Sequence, residues 1–307
     1  MQSVVLVINP GSTSTKFAVF HGDRCIFDQT LNHSAEELSG FSTIASQYEF
    51  REKAIQEALK ERNFDMSSLN AVVGRGGLLH PIPGGIYRIN EAMKADLLAA
   101  RYGEHASNLG ALIADTFAKQ FGIPAFIVDP VVVDELEDVA RVSGHKLFKR
   151  ISIFHALNQK AVARRFAKER GINYEDITLI VAHLGGGISV GLHRKGRVID
   201  VNQALSGEGP FSPERSGTLP AGDLARLCFS GQYTLQEVLK MITGKGGMVS
   251  FLGTNNMRDI EHMRDQGNKE ADFYFQAFVY QVGKYIGSLA PVVEGKVDAI
   301  ILTGGIA

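Results

Sequence analysis

The sequence predicts an α/β protein built from two related halves, and three observations predict it. Short apolar runs that end in a polar residue or glycine alternate with longer helical patterns. Glycine is in excess, at 33 of 307 residues, against an average near ~7%. A strand, a glycine-rich loop and a hairpin occur twice. The length corresponds to about two domains of ~150 residues each, enough to bury a core without a metal or disulfide staple. With 45% hydrophobic and 21% charged residues and a net charge of -1, the chain lacks both the composition of a disordered tail and the basic surface that would hold nucleic acid.

Taken in order, residues 4–8 form the first buried strand by length and β-branching, and they lead to Asn9. The stretch Asn9-Pro10-Gly11-Ser12-Thr13-Ser14-Thr15-Lys16 follows, then a strand over 17–20, the turn His21-Gly22-Asp23 and a strand over 25–27. Residues 71–73 make a strand that runs into Gly74-Arg75, and 126–128 one that runs into Asp129. Helical patterns cover 90–101 and 107–120, the second stopped by Gly122 and Pro124. Further on, a helix over 156–170 stops at Gly171, and a strand over 179–182 leads to His183. After Gly185, Gly186 and Gly187 come a strand over 188–192, the turn Arg194-Lys195-Gly196 and a strand over 198–201. A helix over 273–289 precedes Pro291, and the buried strand 299–302 ends in Thr303-Gly304-Gly305. In such sheets ligands bind beyond the carboxyl ends of strands, where these polar residues and glycines fall. Gly11 and Gly22 recur as Gly185 and Gly196 at one offset, which places the boundary near residue 150 and the halves at 1–149 and 150–307.

The two recurring loops suit phosphate. Small residues from Asn9 to Lys16 can aim backbone N–H groups and hydroxyls at an anion while Lys16 supplies charge; a plain hairpin would need only a two-residue turn. His183, Leu184, Gly185, Gly186 and Gly187 let backbone approach a ligand closely beside an imidazole, though that histidine can also serve the fold alone. Neither a Walker A loop nor a G-x-G-x-x-G fingerprint is present: Gly244-Lys245 is followed by Gly246. Cys25 and Cys228 form no C-x-x-C pair, no run nears the ~20 apolar residues of a membrane helix, and no basic leader precedes the first strand. A cytoplasmic protein without membrane or nucleic-acid partners is the expectation.

The paired loops Asn9 to Lys16 and His183 to Ser189 resemble the signatures of the acetate and butyrate kinases, members of the actin/hexokinase/Hsp70 superfamily. The resemblance continues through Gly74-Arg75-Gly76-Gly77, Asp129-Pro130, residues 150–155 and 206–217, Asn256-Met257-Arg258-Asp259 and Thr303-Gly304-Gly305. The wording of 74–85 and 208–217 is similar to the butyrate branch. It implies two related domains of the actin-like ATPase (ribonuclease H-like) type with a nucleotide cleft between them. The implied reaction is reversible, ATP-dependent phosphorylation of butyrate or a branched short-chain fatty acid to its acyl phosphate.

Arginines suit that chemistry, because the problem is to bring two anions together and to spread the charge of the transferring phosphoryl group. The resemblance makes Arg75 the carboxylate-binding residue, His155 and Arg215 stabilisers of the phosphoryl group, and Asp129 an acidic catalytic position near Mg²⁺ or its waters. It makes Asn9 a Mg²⁺ contact, and Lys16, His183, Leu184, Gly185, Gly186 and Gly187 ATP-phosphate contacts. Asn256, Met257, Arg258, Gly304 and Gly305 fall on the adenosine side; Asn256 stands where the acetate branch has Asp but keeps an acceptor oxygen. A homo-oligomer of at least two chains is implied too. The alternatives are an acetate or propionate kinase, a sugar kinase, and a non-catalytic ATP-driven switch on the same fold, which would need no second anion site at Arg75 and Arg215. The chain stops at Ala307, directly after the last glycine loop, where the family continues, so the second domain is expected to be cut short.

Overall fold

The structure, a computed structural model, describes residues 2–307. Its contacts divide the chain into two compact units, Met1–Val133 and Asp134–Ala307. Residues 134–149, placed in the first half by the sequence pattern, are tied to the second unit: Glu135 pairs with Lys160, and the Glu137 N–H donates to the Ile199 carbonyl.

The first unit runs β1 (Val4–Pro10), β2 (Ser14–His21), β3 (Arg24–Asn32), α1 (Ala35–Ser39), α2 (Tyr48–Glu61), β4 (Ala71–Arg75), β5 (Ile86–Arg88), α3 (Glu91–Leu98), α4 (Asn108–Phe121) and β6 (Ala125–Val128). Its sheet has the order β3-β2-β1-β4-β6-β5, in which β1, β4 and β6 are parallel and the first hairpin is antiparallel. Leu6, Ile8, Phe17, Val72 and Ile127 from the strands meet Ile55 and Leu59 of α2 and Leu109, Ile113 and Phe117 of α4 in one core. Each such side chain contributes about 1.5–3 kcal/mol by leaving water. Helix α4 packs directly on the β4 backbone. A Cβ on Gly74 would lie 2.1 Å from the Gly110 carbonyl oxygen, so both positions need glycine for the contact that sets the end of β4.

The second unit runs α5 (Ala156–Arg170), β7 (Thr178–Leu184), β8 (Ile188–Arg194), β9 (Arg197–Val201), α6 (Ala221–Cys228), α7 (Leu235–Thr243), α8 (Gly247–Leu252), α9 (Met257–Asp265), α10 (Lys269–Leu289) and β10 (Ala299–Thr303). Its sheet order is β10-β7-β8-β9. Strand β7 is covered on both faces: Leu179 and Val181 pack with Ala163 and Ala167 of α5, while Ile180 and Ala182 pack with Phe278 and Val282 of α10. That explains its unbroken apolar run. Among the described residues the expected burial of β10 holds on one face, and on the other Ile300 and Leu302 are each 55% exposed. Among the described residues β10 lies at the edge of the sheet, and Ala299 and Ile301 pack with the cluster around α5.

The repeat is real at the level of topology. Strands β7, β8 and β9, with β10 parallel to β7, repeat the pairing of β1, β2 and β3 with β4. Among the described residues no helix is long and apolar enough to cross a membrane, and Cys25 and Cys228 are free and exposed.

Candidate active site

In the first unit the parallel pairing of β1, β4 and β6 sets Asn9, Arg75 and Asp129 at neighbouring strand ends. Arg75 Nη1 donates to Asn9 Oδ1 at 3.2 Å. Burial pushes the Arg75 guanidinium below its ordinary pKa, and among the described residues no carboxylate pairs with it. Asp129 is 1% exposed and stands at φ 36°, in the left-handed region, which L residues other than Asn and Asp seldom enter. Its Oδ1 accepts the Gly85 N–H at 2.8 Å and its own N–H donates to the Gly85 carbonyl at 2.9 Å. Two-way bonding to Gly85 holds the carboxyl group at the strand end.

The stretch from Asn9 to Lys16 is mostly hairpin. Pairing continues to Pro10 and Thr15, and the Gly11 N–H closes the turn on the Ser14 carbonyl at 2.7 Å. Lys16 forms an exposed ion pair with Asp28 at 2.8 Å. Beneath the turn lies a residue that sequence reasoning missed. Arg51 of α2, 1% exposed, donates to the carbonyls of Gly11, Ser12 and Ser14 at 2.7, 3.0 and 2.9 Å and to Thr15 Oγ1 at 3.1 Å. Gln47, one turn earlier on the chain, takes its remaining N–H groups. No carboxylate neutralises it among the described residues, so the turn's carbonyls face a buried cation from the protein side. Nothing local marks Arg51, because the turn it holds lies 36 to 40 residues earlier in the chain.

In the second unit the glycine loop joins β7 to β8. His183, on β7, stacks on His155 with ring centroids 3.8 Å apart and planes 10° apart. His155 is the N-terminal cap residue of α5; its Nδ1 lies 2.9 Å from Ser189 Oγ, and His183 Nδ1 lies 2.8 Å from Asn158 Oδ1. Arg215 arrives on the loop before α6. Ser212 Oγ fastens that loop to the glycine loop, donating to the Gly186 carbonyl at 2.6 Å. The Arg215 guanidinium lies over Gly187 and donates from Nη1 to the Ala204 carbonyl. Its Nε is buried with no hydrogen-bond partner, and burial pushes the group's pKa down. A buried donor left unmade costs about 1–3 kcal/mol, so an arriving acceptor would be held there.

Gly304 lies against the end of β7, and the Ile306 N–H donates to the Leu184 carbonyl at 3.2 Å. Leu184, Met257, Arg258 and Gly305 line one cavity of about 540 Å³ with Phe275, Ile286 and other residues of this unit. Asn256 serves the fold of its own segment. Its Oδ1 caps α9 through the Arg258 N–H at 3.1 Å, and its Nδ2 donates to Asp259. The structure therefore gathers Asn9, Arg75 and Asp129 in the first unit. In the second it gathers His155, His183, Gly185, Gly186, Gly187 and Arg215 around one loop.

Two α/β units that repeat one strand pairing, with Arg75 at a strand end of the first and Arg215 over the glycine loop of the second, fit a phosphotransferase fold. Among solved structures the chain superposes on the acetate kinase of Porphyromonas gingivalis with TM-score 0.77 at 22% identity, covering 99% of this chain and 83% of that one. A propionate kinase from Francisella tularensis gives TM-score 0.74 at 21% identity, covering 99% and 84%. The sequence profile of the acetokinase family matches residues 139–307. The chain is 59% identical to a protein named butyrate kinase 2 from Clostridium acetobutylicum, over 100% of its length and 86% of the relative's. It is 54% identical to a probable butyrate kinase from Listeria innocua, over 99% and 85%. This chain belongs to the acetokinase family.

Proposed function

We propose that this protein transfers the γ-phosphoryl group of ATP to butyrate or a branched short-chain fatty acid, reversibly. A carboxylate oxygen bonds to the γ-phosphorus, the bond to the β–γ bridging oxygen breaks, and ADP leaves with that electron pair. The observation that carries the reading is full-length similarity, at 59% identity, to a butyrate kinase. The geometry supports it through two guanidinium groups held largely from water without carboxylate partners, since an ionised carboxylate nucleophile needs charge neutralisation and alignment more than a base.

In this reading Arg75 binds the carboxylate, and the apolar side chains of Leu78, Leu79 and Ile82 that follow it suit an alkyl chain. Arg215 and His155 stabilise the transferring phosphoryl oxygens. His183, Leu184, Gly185, Gly186 and Gly187 receive the ATP phosphates. Lys16 joins them by leaving Asp28, an exposed pair of the weak kind. Met257, Arg258, Gly304 and Gly305 take the adenosine side; Asn256 contributes by capping the helix that carries Arg258.

Magnesium is the metal that such a reaction implies. Among the described residues no cluster of three or more acidic, histidine or cysteine side chains forms a cage. Mg²⁺ commonly relies on one or two protein oxygens plus substrate phosphates and water, and the oxygen donors of Asp129 and Asn9 on one sheet fit that pattern. When bound, the ion would offset phosphate charge. We also propose a homo-oligomer, which light scattering on the eluting peak of a sizing column checks; a monomer mass overturns it.

Trapping the acyl phosphate as its hydroxamate across a chain-length series tests the function. Butyrate and branched C4 to C5 acids are expected to exceed acetate in kcat/KM. Acetate preferred over butyrate would sink the substrate assignment, and no hydroxamate from any acid would sink the reaction.

A further inference from the structure

The second unit contains an unbroken chain of side-chain hydrogen bonds that ends on His155. Tyr174, His193, Gln159 and Ser189 form it, and all four are buried. Tyr174 Oη lies 2.7 Å from His193 Nδ1, and His193 Nε2 lies 3.0 Å from Gln159 Oε1. Gln159 Nε2 lies 3.0 Å from the Ser189 carbonyl oxygen and 2.8 Å from Ser189 Oγ, which is 2.9 Å from His155 Nδ1. Gly191 makes room for the amide, since a Cβ there would lie 2.4 Å from Gln159 Oε1.

The polarity of the whole chain follows from one fixed point. A backbone carbonyl only accepts, so the Gln159 atom facing the Ser189 carbonyl is the amide nitrogen. That nitrogen also donates to the Ser189 hydroxyl, and Gln159 Oε1 is the acceptor that faces His193. His193 must then carry its proton on Nε2. Burial, with Lys160 and Arg164 nearby, pushes this imidazole down to about 3, so it is neutral and its bare Nδ1 accepts the Tyr174 hydroxyl proton. At the other end Ser189 Oγ accepts from Gln159 and, at 3.4 Å, from the His155 backbone N–H. Its own proton has His155 Nδ1 as its acceptor among the described residues. A neutral histidine that accepts on Nδ1 is protonated on Nε2.

We infer that this chain sets the tautomer of His155, making Ser189 and Gln159 positioning residues that present its Nε2–H as a hydrogen-bond donor. The inference rests on the role proposed for His155 and adds which nitrogen performs it. A donor fixed in place before the reaction suits a phosphoryl oxygen that gains charge in the transition state. Protonation at Nδ1 would add a third donor to an oxygen that already accepts from Gln159 Nε2 and the His155 backbone N–H.

The test reads tautomers directly from long-range ¹H–¹⁵N spectra of the full chain labelled in its histidines, at neutral pH. His155 is assigned by the signal lost in His155→Gln. The native protein is expected to show Nε2 protonated and Nδ1 bare, and Ser189→Ala to convert His155 to a mixture of tautomers. Nδ1-protonated His155 in the native protein overturns the inference, as does an unchanged tautomer in Ser189→Ala and Gln159→Leu. If Gln159→Leu fails to fold, Ser189→Ala, which removes one oxygen, decides alone. Ser189→Ala is also expected to lower kcat by about ten- to a hundredfold with the KM for ATP within about twofold; unchanged kcat overturns the positioning role. Full turnover in His155→Gln would remove the proposed role of His155 while the spectrum still reports its tautomer.

Discussion

At Gly187 an added methyl carbon would lie 1.9 Å from Arg215 Nη1 and 2.7 Å from its Cζ. The two atoms nearer than 3.0 Å are the end of a long side chain, so the guanidinium yields, while the Ala204 carbonyl oxygen at 3.2 Å is a tight contact. Gly187→Ala is therefore expected to shift the thermal midpoint by no more than ~4 °C while lowering kcat by about a hundredfold. In this it should resemble Arg215→Ala, in which ATP binding is retained because the arginine's contact strengthens in the transition state. Steady-state kinetics beside calorimetry checks this, and native turnover in Gly187→Ala would show that Arg215 need not occupy this position. The sequence marks Gly187 by its place in a run of three glycines, but what fills the space above it is a residue 28 positions later. Arg51 is the harder case, since a lone arginine in a polar helix reads as surface until the hairpin turn is seen resting on it.

One element, α5, is held by a buried ion pair as well as by its apolar face. Lys160 Nζ lies 2.8 Å from both carboxylate oxygens of Glu135 and 3.2 Å from the Gly196 carbonyl, and Glu135 Oε2 accepts the Val198 N–H at 2.8 Å. The pair thus ties the start of the unit to the helix and to β9. Lys160→Met removes the cation that bonds both oxygens of this buried carboxylate and is expected to cost about 3–5 kcal/mol in denaturant unfolding. Adding Glu135→Leu should recover part of it, because an apolar pair needs no charge compensation. A loss below about 1 kcal/mol in the single variant would show that the pair does not hold this element. Helix α5 itself was legible to the residue, from its run of helix formers to its stop at Gly171. Helix α2 was not, because its polar sequence hides the apolar positions Ile55 and Leu59.

Across the whole molecule, His193 gives acid instability a specific source. Its pKa is about 3 in the fold against an ordinary 6.5, so the unfolded chain binds a proton that the native one excludes. Stability therefore falls as pH drops from 6.5 toward 3, by up to ~1.4 kcal/mol per pH unit for this group. His193→Gln keeps hydrogen-bonding capacity without the titration and should flatten urea-unfolding free energies between about pH 6 and 4; an unchanged slope would assign the loss to other groups. By itself the sequence determined the family, the α/β class, the repeated strand-loop-hairpin and the strand ends that carry Arg75, Asp129 and His183. Those signals are local, resting on β-branched runs, glycine and short motifs. Only the tertiary structure decided that Arg51 underpins the hairpin turn, that Arg215 lies over Gly187 and that His155 is oriented from Tyr174 through three further residues. Such contacts join side chains far apart in the chain, and their hydrogen-bond polarity depends on which backbone carbonyl or amide the fold sets beside them.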